Sequence, residues 1–241
     1  MYEHSPAAYD ALHYERGKDY RREAEAVVSR IRRHRPDAAS ILDVGCGTGM
    51  HLAAFARMGF DVEGVEPAPE MLAVAAERVA APLHQGDMRT FRLDRRFDGV
   101  VCLFSAIGYM TTLDDLATAL GRMGDHLVDG GVLVVEPWFT PDRWIEGTTD
   151  SESTTSGELA VARVSRSWRE GDESLIEMRY ALARPERTWS FIETHRMGLF
   201  TVEQQLEAYE AAGFDVEHEM PGFSDRGLFV AVKRATAGPR P

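Results

Sequence analysis

Apolar and polar positions follow two rhythms along this chain, and the change between them divides it. Ala24, Val27, Val28 and Ile31 fall on one face of a helix whose Arg21, Arg22, Arg32 and Arg33 lie elsewhere. Short apolar runs and helical stretches then alternate. Ser40–Val44 reads as a buried strand, residues 50–58 as a helix, Asp61–Glu66 as a strand, and residues 70–79 as a helix introduced by Pro67 and Pro69. Pro82-Leu83 is a brief strand, and residues 97–104 are the longest apolar run, expected at the sheet centre and ending in Ser105-Ala106-Ile107-Gly108-Tyr109-Met110. Residues 113–127 read as a helix stopped by Asp129-Gly130-Gly131, and residues 132–136 as the next strand. Strands taking turns with helices predict a parallel sheet.

Glu136-Pro137-Trp138-Phe139-Thr140-Pro141 breaks that strand and leaves a large aromatic at the sheet edge. The polar residues 148–157 read as a mobile loop. Beyond them the period shortens: residues 159–168, 174–182 and 188–197 are strand-like and joined by Glu170-Gly171-Asp172 and Arg184-Pro185-Glu186, which predicts an antiparallel insert near the crevice. Residues 201–212 return to helix with Thr201 as N-cap and Gly213 as C-cap, and residues 214–218 and 227–232 complete the sheet. The expected fold is therefore α/β, a seven-stranded mostly parallel sheet with helices on both faces plus a small antiparallel β insert. Its expected parts are an N-terminal helical segment (1–37), a core (38–146), the insert (147–198), a C-terminal part of the core sheet (199–235) and a disordered tail (236–241) that contains Gly238-Pro239-Arg240-Pro241.

Composition narrows the partners. The 241 residues are 44% hydrophobic, which suits a globular domain with a sizeable core. With 27 basic against 39 acidic residues, the formal charge of −12 disfavours a nucleic-acid polyanion as partner. Cys46 and Cys102 fall in expected buried positions and read as core thiols, not a disulfide, which fits a reducing cytoplasm. No signal-like apolar segment and no run near the roughly 20 residues needed to span a bilayer is found, so a soluble, cytoplasmic protein is expected. The 8 histidines show no metal-ligand spacing, and neither a G-x-S-x-G elbow nor a phosphate-binding G-x-x-x-x-G-K-[ST] loop occurs, so no metal is expected.

The chemistry concentrates at Asp43-Val44-Gly45-Cys46-Gly47-Thr48-Gly49. Three glycines at alternate positions between a strand and a helix permit positive φ and let a ligand approach the backbone, beside the unpaired N–H groups of a helix N-terminus. Met50 stands where the dinucleotide fingerprint G-x-G-x-x-G wants its third glycine, which weakens a nicotinamide reading. Glu66 closes the second strand about 20 residues beyond the first glycine, where a carboxylate accepts ribose hydroxyls. Asp87, in Gln85-Gly86-Asp87-Met88, closes the third, so that Asp43, Glu66 and Asp87 end successive strands.

This arrangement resembles the class I S-adenosylmethionine-dependent methyltransferases, with their Rossmann-like fold, over residues 38–137. Farther along, Gly17-Lys18-Asp19-Tyr20, His84-Gln85-Gly86-Asp87-Met88-Arg89, Glu136-Pro137-Trp138, Arg163-Val164-Ser165, Arg169-Glu170-Gly171 and Arg226-Gly227-Leu228-Phe229 resemble the N,N-dimethyltransferases of nucleotide-linked 3-amino deoxysugars in macrolide biosynthesis, nearly end to end. The resemblance implies twofold N-methylation of a sugar amine on a thymidine diphosphate carrier. It implies S-adenosylmethionine as cofactor, with S-adenosylhomocysteine as product, and no metal. The expected partner is the small-molecule nucleotide sugar, with no nucleic acid and no membrane, and a homodimer is compatible with it.

On the same resemblance, the cofactor contacts fall on Asp43, Gly45, Gly47 and Gly49 for the methionine part, Glu66 for the ribose and Asp87 with Met88 for the adenine. Tyr20, Pro67, Met71 and Leu103 complete them. Tyr9 and Tyr109 match acceptor-pocket positions and are expected to orient the amine; as single residues, either could equally be core. Trp138, Ser165, Ser167, Arg169 and Arg226 are the expected substrate-binding set.

Two segments carry open alternatives. Residues 1–20 hold Tyr2, Tyr9, Tyr14 and Tyr20 of the 7 tyrosines, besides His13, and form either a cap on the core or a lid over the cofactor. Arg163, Ser165, Arg166, Ser167 and Arg169 are either a phosphate-docking cluster, since guanidinium forks suit phosphate oxygens, or an outward strand face balanced by Glu170, Asp172 and Glu173. The functional rivals are a methyltransferase for another small acceptor, one for RNA or protein, a nicotinamide oxidoreductase, and a silent S-adenosylmethionine-binding regulator.

Overall fold

The computed structural model of the chain describes residues 6–15 and 17–235. Tyr2, the side chains of His13 and Tyr14, and the tail at Gly238-Pro239-Arg240-Pro241 lie outside the described residues.

Helix α1 (Pro6–Glu15) precedes α2 (Tyr20–His34), which starts where the Asp19 side chain accepts the Arg22 amide N–H and buries the predicted stripe Ala24, Val27, Val28 and Ile31. Then come β1 (Ser40–Val44), α3 (Met50–Arg57), β2 (Asp61–Glu66), α4 (Pro69–Arg78), β3 (Leu83–Gln85) and β4 (Phe97–Cys102). A 3-10 turn (Ala106–Tyr109), α5 (Leu113–Asp125) and β5 (Leu127–Val135) follow. The insert is β6 (Thr149–Ser156), β7 (Leu159–Glu170), β8 (Glu173–Arg184) and β9 (Arg187–Gly198), after which α6 (Val202–Ala211), β10 (Phe214–Glu219) and β11 (Leu228–Lys233) close the chain. Thr201 caps α6 through a reciprocal capping box with Gln204.

The large sheet has the order β10-β11-β5-β4-β1-β2-β3, parallel from β5 to β3, with β11 and β10 antiparallel at one edge. Its central strands carry continuous apolar stretches, such as Ile41-Leu42, residues 99–102 and residues 132–135, because both faces are covered. Leu42, Val100, Cys102, Leu133 and Val135 point to one side, where Leu120, Met123, Tyr209 and Phe214 pack on them. Ile41, Val101, Val132 and Val134 point to the other, against Val27, Val28, Ile31 and Phe55. This α/β architecture is the expected one, and both Cys46 and Cys102 are buried free thiols.

Three local expectations are corrected. Residues 148–157 are not a loop: β6 pairs antiparallel with β7 along its whole length, Thr149 opposite Arg166 and Ser156 opposite Leu159. The insert is thus a four-stranded sheet, with a polar edge strand held by backbone bonds. The Asp129-Gly130-Gly131 segment does not stop α5. The helix ends at His126, and the glycines lie in an irregularity of β5 where pairing jumps from Phe97–Leu127 to Gly99–Val132. Finally, the central strand stops at Cys102, since Phe104 (φ 53) and Ser105 (φ 60) are left-handed.

Candidate active site

The carboxyl edges of β1, β2, β4 and β5 meet in one crevice, where open α/β sheets bind ligands. Gly45, Gly47 and Gly49 all take left-handed φ (78, 55 and 76°), which turns β1 into α3 within five residues. A Cβ on Gly45 would stand 2.8 Å from the Cβ of Ala106, so the glycine also lets the 3-10 turn lie against this loop.

Two carboxylates are buried beside the turn: Asp43 (2% exposed) and Glu66 (7%). Burial, and secondarily the Glu66 charge, pushes the Asp43 carboxyl up to about 7. Burial also raises the Glu66 carboxyl, although the amide N–H groups of Ala68 (3.0 Å) and Gly47 (3.1 Å) donate to it. Among the described residues no Lys or Arg forms an ion pair with either acid, so a cationic ligand carrying hydroxyls matches what the pair lacks. Met71, Met88 and Leu103 are buried near these strand ends, and Pro67 is exposed behind Glu66. Asp87 is half-exposed, with Arg89 at 2.6 Å, whose hydrogen bonds hold the carboxyl below its ordinary range. These groups fit S-adenosylmethionine: a sulfonium and an ammonium for the buried acids, and ribose hydroxyls for the end of β2.

The opposite wall grows from the strained turn after β4. Two consecutive non-glycine residues with positive φ mark a conformation that the surroundings must enforce. Here the Phe104 amide donates to Glu136 Oε2 (2.8 Å) and the Ser105 hydroxyl to the Pro137 carbonyl (2.6 Å). Gly108 is clamped between Trp138 and Met197: an added Cβ would lie 2.8 Å from Trp138 Cβ and 2.6 Å from Met197 Cε. That contact draws the turn, the end of β5 and strand β9 together. As a result Tyr109 Oη lies 2.7 Å from His195 Nδ1, and His195 Nε2 lies 3.6 Å from Glu193 Oε2. Trp138 Nε1 donates to the buried Ser174 hydroxyl at 2.8 Å.

Helix α1 roofs the crevice and spans both units. Ala8, Ala11 and Leu12 pack on Leu159, Val161, Tyr180 and Leu182 of the insert. Asp10 accepts from the Thr48 hydroxyl of the glycine turn and from Arg78 of α4, both at 2.7 Å. Tyr9 meets Phe104 edge-on with ring centroids 6.1 Å apart. Lys18 lies 4.2 Å over the same Phe104 ring while ion-paired to Glu23, which also contacts His51 at 2.7 Å. Tyr20 stands edge-on to His51, its hydroxyl held in the neutral form by burial and by the nearby Asp10 and Glu23 charges.

Pleating puts Arg163, Ser165, Ser167 and Arg169 of the β7 cluster on one face and Arg166, with Val164, on the other, but the arginines are already engaged. Arg163 is bound to Glu152, Arg166 to Glu177 (3.3 Å), Ser167 to Thr148 (2.6 Å), and Arg169 closes on Gly171 O (2.7 Å) of its own hairpin. Arg226 is paired with buried Glu136 at 2.8 Å and lies over Phe139 and Trp138. Its Nε is buried with no hydrogen-bond partner among the described residues, leaving a donor for an anion.

Sequence reasoning named Tyr9, Tyr20 and Tyr109 but missed Asp10, Glu136, Glu193 and His195. Glu136 was legible only as part of a motif. His195 and Glu193 carry no local signal beyond the alternation of β9.

Residues 41–131 match the family described as methyltransferase domain. The dTDP-3-amino-3,6-dideoxy-alpha-D-glucopyranose N,N-dimethyltransferase of Streptomyces fradiae is 46% identical over 229 residues, 94% of this chain and 90% of that protein. The dTDP-4-amino-2,3,4,6-tetradeoxy-D-glucose N,N-dimethyltransferase of Saccharopolyspora spinosa is 40% identical over 227 residues, 93% of this chain and 91% of that one. Among solved structures, a SAM-bound amino pentose methyltransferase from Micromonospora echinaspora, involved in calicheamicin biosynthesis, superposes with a TM-score of 0.84 at 43% identity, covering 94% of this chain and 96% of that one.

Proposed function

Since the chain belongs to the S-adenosylmethionine-dependent N,N-dimethyltransferases of nucleotide-linked amino deoxysugars, we propose that it adds two methyl groups in succession to the amine of a dTDP-linked 3-amino deoxysugar in antibiotic biosynthesis. The observation that carries this reading is the extent of the likeness: at 46% identity over 94% of the chain, it takes in the insert as well as the sheet.

S-adenosylmethionine, when bound, supplies a methyl group made electrophilic by its sulfonium. For holding it, Glu66 suits the ribose hydroxyls, Asp87 and Met88 the adenine, and Asp43 with the amides of Gly45, Gly47 and Gly49 the cationic amino-acid part. Pro67, Met71 and Leu103 wall this side, and Tyr20 closes it. Of the N-terminal segment expected as a lid (residues 1–37), α1 and the Lys18–Tyr20 stretch serve as the lid while α2 packs on the core sheet, and the insert (residues 147–198) supplies the acceptor side.

On that side Tyr9 and Tyr109 orient the sugar amine and Trp138 flanks the sugar. Ser165, Ser167 and Arg226 receive the pyrophosphate, with Arg226 presenting its remaining donors while Glu136 fixes its position. Arg169 contributes only at the rim, since its guanidinium is engaged in its hairpin. A sugar amine should titrate within a unit or two of an α-amino group, about 8, so a fair fraction, though a minority, is already neutral near physiological pH before it binds. Orientation and closeness then supply most of the catalysis, up to roughly 7 to 11 kcal/mol in favourable cases.

The test of the substrate class is the ratio of kcat/KM for dTDP-3-amino over dTDP-4-amino deoxysugars. The account expects it to favour the 3-amino sugar at least about tenfold, a difference of about 1.4 kcal/mol in transition-state binding. A ratio near or below one contradicts the 3-amino assignment.

A further inference from the structure

Tyr109 and His195 are 86 residues apart, yet the hydroxyl of one stands 2.7 Å from Nδ1 of the other. On the far side of the ring, Nε2 faces the Glu193 carboxylate at 3.6 Å. Both groups behind the tyrosine are withdrawn from solvent, with His195 2% exposed and the Glu193 side chain 9%. A carboxylate beyond Nε2 selects the tautomer with its proton there, which leaves Nδ1 as acceptor for the Tyr109 hydroxyl. The phenol–imidazole hydrogen bond therefore runs from the crevice into the insert, and the Glu193 carboxylate behind it at 3.6 Å is an electrostatic partner, not a hydrogen-bonded one.

Twofold methylation needs such a chain at one moment. Attack by the primary amine uses the nitrogen lone pair to form the new N–C bond, and the product is a secondary ammonium with two N–H protons. No second methyl can be added until one proton leaves and the lone pair returns. A secondary amine holds its proton at least as firmly as the α-amino group near 8, so at neutral pH the ammonium does not lose it unaided in a closed site.

We propose that Tyr109, His195 and Glu193 are the exit for this proton. The ammonium N–H proton passes to Tyr109 Oη as the Tyr109 hydroxyl proton passes to His195 Nδ1. The phenol is neutral before and after, the amine regains its lone pair, and the positive charge rests on the imidazolium facing Glu193. His195 acts through Tyr109 and is a positioning residue that also takes up the proton. The inference rests on the proposed placing of the amine at Tyr109. Among the described residues, the charged and titratable groups sharing this face with His195 are Glu193 on its own strand, Tyr180 on β8, the Arg163–Glu152 pair and Asp150 across β7 and β6, and Tyr109 from the core.

His195→Asn tests this, because an amide atom can replace Nδ1 against Tyr109 but cannot hold the proton. Three readouts are compared with the unmodified protein: the ratio of mono- to dimethylated product by mass spectrometry, the pH profile of the second step started from the monomethylated nucleotide sugar, and calorimetric affinity for that sugar without cofactor. The first methylation and the affinity should stay close to those of the unmodified protein. The second step should fall about 10²-fold or more at pH 7, as for a lost proton acceptor, and recover as the pH rises toward about 9 and water takes the proton. Tyr109→Phe should show the same selective loss in the second step and the same recovery at high pH, beyond any slowing of both steps from lost orientation of the amine, and the double variant should show no larger second-step loss than Tyr109→Phe alone, because both break one chain.

An unchanged product ratio and pH profile in His195→Asn overturns the relay. Equal loss in both steps without recovery at high pH overturns it too, and leaves His195 a structural residue. Should His195→Asn fail to fold, Glu193→Gln is expected to show the same pH recovery with a smaller loss, and its absence is equally decisive. If the unmodified protein methylates no nucleotide-linked amino sugar, the underlying reading fails first, and the relay with it.

Discussion

The Arg226 guanidinium stands 2.8 Å from the carboxylate of Glu136, a residue 1% exposed that also receives the Phe104 amide and the Ser224 hydroxyl. Removing one partner of a buried pair leaves an uncompensated charge and typically costs about 3 to 5 kcal/mol. Arg226→Ala should therefore lower the melting temperature, at about 2 to 4 °C per kcal/mol for a chain of this size, in addition to weakening substrate binding. Arg226→Ala combined with Glu136→Gln should regain part of that loss. Calorimetric unfolding checks this, and an unchanged melting temperature in Arg226→Ala would show that the pair contributes nothing to the fold.

Asp43 makes the pH dependence testable. Its folded carboxyl titrates near 7, well above the ordinary range near 4 of an unfolded chain. Between those limits the folded state binds more protons than the unfolded state, so this group's contribution to stability falls as the pH rises through that window and is fully lost above 7. Asp43→Asn should flatten the decline, so that the stability difference between pH 5 and pH 8 is smaller than in the unmodified protein, read by denaturant unfolding without cofactor. Parallel curves for the two proteins would refute the assignment.

The same carboxyl should couple to the cofactor. A cationic ligand favours the charged acid, so S-adenosylmethionine binding below pH 7 should release protons, and binding at pH 8 should release fewer. Calorimetry in buffers of different ionisation enthalpy measures the number, and no buffer dependence at pH 6 would contradict the placement of Asp43 beside the ligand's positive charge.

Much of this site was legible because parallel sheets advertise their binding edge. The glycines after β1 and the acids closing β1, β2 and the strand before Asp87 lie in short, contiguous motifs. What escaped notice depends on contacts across the fold. Glu136 and Arg226 are 90 residues apart, and nothing local in either segment foretells their pairing. Strand β6, Thr-Asp-Ser-Glu-Ser-Thr-Thr-Ser, has no apolar residue, so its pattern resembles a loop; only the backbone of β7 makes it a strand. The β7 arginines looked like one free cluster because the sequence shows neither the pleat that turns Arg166 to the other face nor the partners that hold Arg163, Arg166 and Arg169.

Glu66 ends β2 with one oxygen accepting the Gly47 amide of the glycine turn and the other the Ala68 amide before α4. Glu66→Ala should weaken S-adenosylmethionine binding by about 1 to 3 kcal/mol, the loss typical of a hydrogen bond to a charged group. An unchanged dissociation constant would remove Glu66 from the cofactor site.

Asp10 fastens α1 to Thr48 and Arg78 across the crevice mouth. Asp10→Ala should loosen α1 and the Lys18–Tyr20 segment, seen as faster amide exchange there than in β1 or β4. The Michaelis constant for S-adenosylmethionine should rise, and because α1 also carries Tyr9, kcat should fall with it. Equal exchange in the two proteins would show that the lid does not depend on this latch.

The central claim is that this crevice places two methyl groups on the nitrogen of a nucleotide-linked amino deoxysugar. The most direct measurement is mass spectrometry of a dTDP-3-amino deoxysugar incubated with the protein and S-adenosylmethionine, followed over time. The account predicts a transient gain of one methyl unit followed by a stable gain of two, with both methyls on nitrogen in the fragment spectrum. A product that stops at one methyl, or carries the methyl on oxygen, would contradict it.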